Sequence, residues 1–184
     1  MAHLAHYKEA HPLIFVVTHW INLIAMIMLI LSGIIIHFPV LPFLTGIARG
    51  CHLFFGFVLF INCVARVIMA FFVKTAPTGG TRQQVTDFKT WLPQKDNRHQ
   101  ALEWIKYYLF LRKTSPEYAG HNPLAQCAMF FMFTLGSIVI IITGLALYAQ
   151  AWGADAGWYA WFEWVFVLFG DSQAVRTTHH AFMY

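Results

Sequence analysis

The chain has 184 residues, of which 59% are hydrophobic, 17% aromatic and only 11% charged. A water-soluble domain carries about a quarter charged residues, so this composition cannot cover a water-facing surface, and 18 phenylalanines exclude disorder. The net charge is +4, but eight of the twelve Lys and Arg fall between Lys74 and Lys113 with long apolar runs on either side, which argues against a nucleic-acid partner. Length and composition together give one domain, 1–184, placed in a membrane.

The first apolar run, residues 13–36, has 24 residues and no Asp, Glu, Lys or Arg. That is enough to cross a hydrocarbon core of about 30 Å at 1.5 Å per residue. Pro12 precedes it and Pro39 follows it, as helix boundaries prefer. The run is too long for a signal peptide and lacks a small-residue cleavage site. Residues 51–73 form a second span with one charge, Arg66, and residues 124–148 a third with none, opened by Pro123. A fourth starts near residue 174 and reaches only residue 184, about 16 Å of helix. Either this segment is not a span or it is cut inside one, and truncation is favoured.

Two connections read as short interfacial helices. Residues 99–113 place Leu102, Ile105 and Leu109 on one stripe beside Trp104 and Tyr108, with Glu103, Lys106 and Lys113 outside it. Residues 152–169 carry four tryptophans but also Asp155 and Glu163, and suit an aromatic belt or a docking face. The expected fold is therefore an all-α membrane protein: an up-and-down transmembrane four-helix bundle with a shortened fourth helix and two interfacial helices. The basic 74–123 connection marks the cytoplasmic side, which puts the N-terminus inside and the 149–173 connection, with no basic residue, outside. Cys51, Cys63 and Cys127 are isolated in apolar sequence, without a haem-attachment or metal-knuckle spacing, and read as small hydrophobes.

Ten histidines are present. His3, His6, His11 and His99 lie in polar stretches, and His37 ends the first span as an ordinary interfacial imidazole. His19, His52 and His179 lie inside apolar segments, where an imidazole is costly and marks a functional site unless it is bonded to a neighbouring helix. His52 and His179 both sit about one turn into helices entering from the outer face, and each has an arginine three residues earlier, Arg49 and Arg176. Residues three apart share a helix face. This arrangement suits a haem with its iron between two imidazoles and its propionates turned toward the arginines. Gly56, one turn below His52, and Gly33, at similar depth on the first span, leave room for a porphyrin, although glycines also serve close helix packing. His180 lies about 100° from His179 and cannot face the same porphyrin, and Arg176 selects His179. His19 lies near the inner end of the first span and would need a partner about 14 residues beyond His179. Arg66 would meet the propionates of that inner haem or else snorkel to the headgroups.

Thr18-His19-Trp20, Ser32-Gly33, His52 with Gly56, and His179 resemble the four-helix b-type cytochromes of bacterial respiratory enzymes. The stretch 107–148, above all Gly120-His121-Asn122-Pro123-Leu124-Ala125-Gln126 and the later IITGLALY, is similar to the cytochrome b subunit of membrane-bound nickel-iron hydrogenases. The resemblance implies haem b held by His52 and His179, and a second haem held by His19 and a later histidine missing from this chain. It implies an electron-transfer subunit, not the hydrogen-activating one, in the bacterial inner membrane. Its partners would be the hydrogenase small and large subunits and membrane quinone. His121 lies in the most specific motif without an assigned role. Competing readings are the cytochrome b subunit of a formate dehydrogenase or thiosulfate reductase and, in another class, a haem-free membrane anchor or assembly protein.

Overall fold

The computed structural model describes residues 12–75, 85–93, 100–116 and 122–182. The readings made for His3, His6, His11, His99 and His121, and for part of the basic 74–123 connection, lie outside these residues. Three helices are long and apolar enough to cross a membrane: α1 (Leu13–His37), α2 (Pro42–Phe72) and α4 (Pro123–Ala151). They leave many large apolar side chains uncovered, among them Ile24, Ile61 and Met132 at 55–70% exposure. In water these would form a patch far larger than a soluble monomer tolerates, whereas hydrocarbon imposes no such cost. The shorter helices are α3 (Gln100–Tyr108), α5 (Gly157–Phe169) and α6 (Ser172–Ala181).

The boundaries differ from the sequence reading in instructive ways. The second span was expected to start at Cys51, yet its helix begins nine residues earlier, with Pro42 as its first residue. Arg49 and Gly50 continue the helix, because a helical glycine costs only about 1 kcal/mol and does not stop it. The interfacial helix expected over 99–113 ends at Tyr108, and Phe110 then takes φ 60°, a left-handed conformation with no glycine to announce it. The third span carries a π-helical stretch, Met129–Leu135, that its run of phenylalanines does not reveal. The fourth segment is a ten-residue helix starting at Ser172, capped by the Asp171 carboxylate, which accepts from the Ala174 N–H at 2.6 Å. At 10 residues α6 does not itself cross a bilayer.

The chain divides into two compact units, one of residues 1–20 and 62–133, the other of residues 21–61 and 134–184. The first contains the start of α1, the end of α2, α3 and the start of α4. It also holds a two-stranded antiparallel ladder, β1 (Lys74–Thr75) with β2 (Val85–Thr86), which pairs Lys74 with Thr86. A 3-10 turn at Asp87–Thr90 follows. Its polar centre is Arg66, whose Nη2 donates to Asp87 Oδ2 at 2.7 Å while the guanidinium lies 3.9 Å from the Phe15 ring centroid. Trp91 Nε1 donates to the same carboxylate oxygen at 2.9 Å. Asn62 Nδ2 donates to the Thr18 carbonyl at 2.8 Å, tying α2 to α1. Asn122 caps α4 by accepting from the Ala125 N–H.

In the second unit the last part of α4 packs with α5 and α6 around Ala146, Val165, Phe166 and Val175. Gly170, at φ 98°, makes the sharp turn between α5 and α6, a conformation that favours glycine. The three cysteines are free and half-buried.

Candidate functional site

The second unit encloses a cavity of about 450 Å³, a volume typical of small-molecule and cofactor sites. Its walls are mostly aliphatic and aromatic side chains of α1, α2, α4 and α6, and its polar lining consists of His52, His179, His180, Arg49 and Tyr148. Gly33 and Gly56 line it as well, and a Cβ added at Gly56 would meet nothing within 4 Å.

His52 and His179 face one another with ring centroids 6.2 Å apart and planes at 70°. Each ring is anchored at Nδ1 by a hydroxyl from a neighbouring helix. Ser32 Oγ lies 3.0 Å from His52 Nδ1, and Thr143 Oγ1 lies 3.0 Å from His179 Nδ1. A hydroxyl has one proton. Ser32 gives its proton to the Met28 carbonyl at 2.6 Å, and Thr143 gives its proton to the Val139 carbonyl at 2.8 Å. With the hydroxyl protons given to these carbonyls, each oxygen can accept from its imidazole, an arrangement that places the ring hydrogen on Nδ1 in both histidines. The Leu29 carbonyl is a further hydrogen-bond partner of the His52 imidazole and the Ile140 carbonyl of the His179 imidazole. With the ring hydrogen on Nδ1, each Nε2 lone pair is left for a ligand.

This donor set suits an iron that brings most of its own ligands. Among the described residues, no group of three or more His, Cys, Asp or Glu could hold a bare metal ion, which takes four or more protein or water donors. A porphyrin iron asks only for two axial ligands on opposite sides. Two metal–imidazole bonds of about 2 Å, with a ring radius added on each side, separate the centroids by about 6 Å. The cavity, the two free Nε2 atoms and the open space at Gly56 fit haem.

The other residues singled out by sequence divide. Arg49 lines the cavity. Arg176 does not; it lies exposed on α6, with its Nη2 3.4 Å from Gln150 Oε1, an atom that also accepts from Ser172. His180 also lines the cavity, and its ring packs edge-on against His37 at 4.8 Å, giving His37 a contact that its reading as an ordinary interfacial imidazole did not foresee. His19 and Arg66 belong to the first unit. His19 is exposed, and its ring lies edge-on to the adjacent Trp20 at 6.1 Å. Arg66 is taken up by Asp87 and Trp91, and neither acidic nor aromatic partner was anticipated. Sequence reasoning also passed over Thr143 and Gly144 as site residues. A Cβ on Gly144 would sit 3.0 Å from His179 Cε1, so the close approach of α4 to α6 requires glycine there. The available signal was a Ser and a Thr within otherwise apolar spans, one residue before Gly33 and Gly144.

Known proteins resemble the chain over most of its length. The chain is 35% identical over 174 residues to the probable Ni/Fe-hydrogenase B-type cytochrome subunit of Azotobacter vinelandii, covering 90% of this chain and 70% of that protein. The protein of the same description from Bradyrhizobium diazoefficiens is 34% identical, with 91% and 68% covered. The one from Rhizobium leguminosarum bv. viciae is 36% identical, with 90% and 70% covered. Residues 10–184 match the prokaryotic cytochrome b561 family, and with three membrane-length helices and a cavity walled by facing histidines the chain belongs to that family of haem b membrane proteins.

Proposed function

We propose that this chain is the haem b subunit of a membrane-bound nickel-iron hydrogenase, anchoring the complex and passing electrons from the small subunit to membrane quinone. The observation that carries the reading is the pair of imidazoles, His52 and His179, set 6.2 Å apart across the cavity with both Nδ1 atoms already engaged. When bound, haem b supplies the one-electron couple. The chain's own residues would hold it: His52 and His179 through their imidazoles, Gly33 and Gly56 as clearance for the ring, and Arg49 as a cation for a propionate. Aliphatic walls exclude water and keep the local dielectric low. The names of the relatives support the hydrogenase as partner. The basic residues of the 74–123 connection support an inner-membrane orientation with a cytoplasmic N-terminus. His19, inside α1, is the ligand of a second haem in this reading, on the strength of an imidazole in a membrane span.

The test is a reduced-minus-oxidised spectrum with haem counting on the detergent-purified complex, repeated for His52→Ala. The expected result is loss of the haem held by His52. An unchanged haem count in His52→Ala would overturn the ligand assignment, and a correctly inserted wild-type chain without a Soret band would overturn the haem reading itself.

A further inference from the structure

Each imidazole in the cavity meets a hydroxyl from a different helix, beside a backbone carbonyl of that same helix, Leu29 for His52 and Ile140 for His179, and the two arrangements repeat each other. Ser32 on α1 reaches His52 on α2, and Thr143 on α4 reaches His179 on α6, both at 3.0 Å. Both hydroxyls are buried, Ser32 at 3% and Thr143 at 0% exposure. In both, the hydroxyl proton goes back to the carbonyl four residues earlier on its own helix. Had either hydroxyl donated to its imidazole instead, the ring hydrogen would sit on Nε2 and that nitrogen could not bind a metal.

We infer that Ser32 and Thr143 are positioning residues that lock the tautomer and ring plane of His52 and His179 and thereby set the reduction potential of the haem between them. This rests on the haem reading proposed above. An Nδ1–H that donates to a fixed acceptor makes its imidazole a stronger base, which favours the ferric over the ferrous ion and lowers the potential. A neutral hydroxyl, whose lone pair is already polarised toward a carbonyl, is a weaker acceptor than a carboxylate, so the effect here is moderate. The hydroxyls also fix the angle between the two rings, 70° in this structure. Steeply crossed axial imidazoles give a ferric low-spin signal with a large maximum g-value, so the ring planes can be read directly.

The experiment uses the purified complex with Ser32→Ala, Thr143→Val, and the conservative Ser32→Thr and Thr143→Ser. Readouts are haem content, midpoint potential and the ferric EPR spectrum. Ser32→Ala and Thr143→Val are expected to raise the midpoint potential and to shift or broaden the EPR signal, while the conservative variants keep wild-type values. If one hydrogen bond changes the ferric preference tenfold, the rise is about 59 mV for a one-electron couple. Unchanged potential and EPR in both Ser32→Ala and Thr143→Val, with haem retained, overturns the inference and leaves the ligand assignment standing. If those two variants lose haem, retention in Ser32→Thr and Thr143→Ser supports the hydrogen bond as cause. Loss in all four overturns it in favour of packing. The His52→Ala experiment reports separately on the ligands.

Discussion

The two units treat polar groups inside membrane helices in opposite ways. In the first, the Arg66 guanidinium is answered by the protein: Asp87 takes its charge, Phe15 covers its face, and Trp91 shares the carboxylate. In the second, His52 is met by the Ser32 hydroxyl and the Leu29 carbonyl, and His179 by the Thr143 hydroxyl and the Ile140 carbonyl, and both rings line a cavity walled mostly with aliphatic side chains. Arg66 Nη2 is paired by Asp87 while its buried Nη1 has no hydrogen-bond partner among the described residues, so the first network is held by charge and ring contacts and stops short of full satisfaction. The second opens on a cavity large enough for a cofactor, as the proposed haem site requires. The presence of a polar residue in a span does not distinguish these cases; what its unpaired edge faces does.

That contrast can be broken by mutation. The largest expected effect is at the imidazoles: His179→Ala should abolish the haem held by His52, while His180→Ala, stacked on His37, should retain it. Haem counting on purified complexes separates the two, and equal loss from both variants would remove the distinction drawn between adjacent histidines. Next comes Asp87→Ala. It leaves a partly buried Arg66 without its counter-charge, at 28% and 8% side-chain exposure for the pair, and should cost about 3 kcal/mol, the low end for breaking a buried ion pair. Denaturation in detergent measures this, with haem content expected to be unchanged; coupled loss of haem would contradict the structural role given to Arg66. Gly144→Ala places a Cβ 3.0 Å from His179 Cε1 and should act on haem retention, by about 1–3 kcal/mol of overpacking. A wild-type haem titration in that variant would show that α6 can yield.

The smallest effect belongs to a site with no buried network at all. The hydrogen bond from Lys106 holds the Glu103 carboxyl below its ordinary range of about 4.5, with Arg112 adding to the same direction. A carboxylate with a depressed folded pKa stabilises above its unfolded value, and that contribution disappears as pH falls through the folded one. Hydrogen-exchange protection factors across Gln100–Tyr108 should therefore fall slightly in acid below about pH 4.5, and fall less in Lys106→Ala, where Arg112 alone still pairs with Glu103. The pair is solvent-exposed, so salt should weaken the effect further.

Membrane class and the three long helices were legible in the sequence, since each apolar run is self-contained and its length alone meets the bilayer requirement. The ends were less so. Pro42, rather than the last polar residue before the span, begins α2, and Phe110 rather than a glycine closes the turn after α3. Within the site, His52, His179, Gly33 and Gly56 could be named from depth and spacing, and Arg49 with them. Arg176 could not be placed, because its three-residue spacing from His179 does not say that Gln150 will take its side chain. Thr143 and Asp87 went unnoticed because neither forms a local motif with the residue it serves.

Composition and the uninterrupted apolar runs determined by themselves that this chain is a helical membrane protein with imidazoles where lipid would make them costly. A helix satisfies its own backbone, so this conclusion needs no knowledge of what packs against it. Only the tertiary structure decided which hydroxyl meets each imidazole, which of two adjacent histidines pairs with His52, and which arginine is already spent on a carboxylate. Those outcomes depend on partners 20, 21 and 36 residues away in the chain, Ser32 for His52, Asp87 for Arg66 and Thr143 for His179, and no local pattern encodes contacts made at such separations.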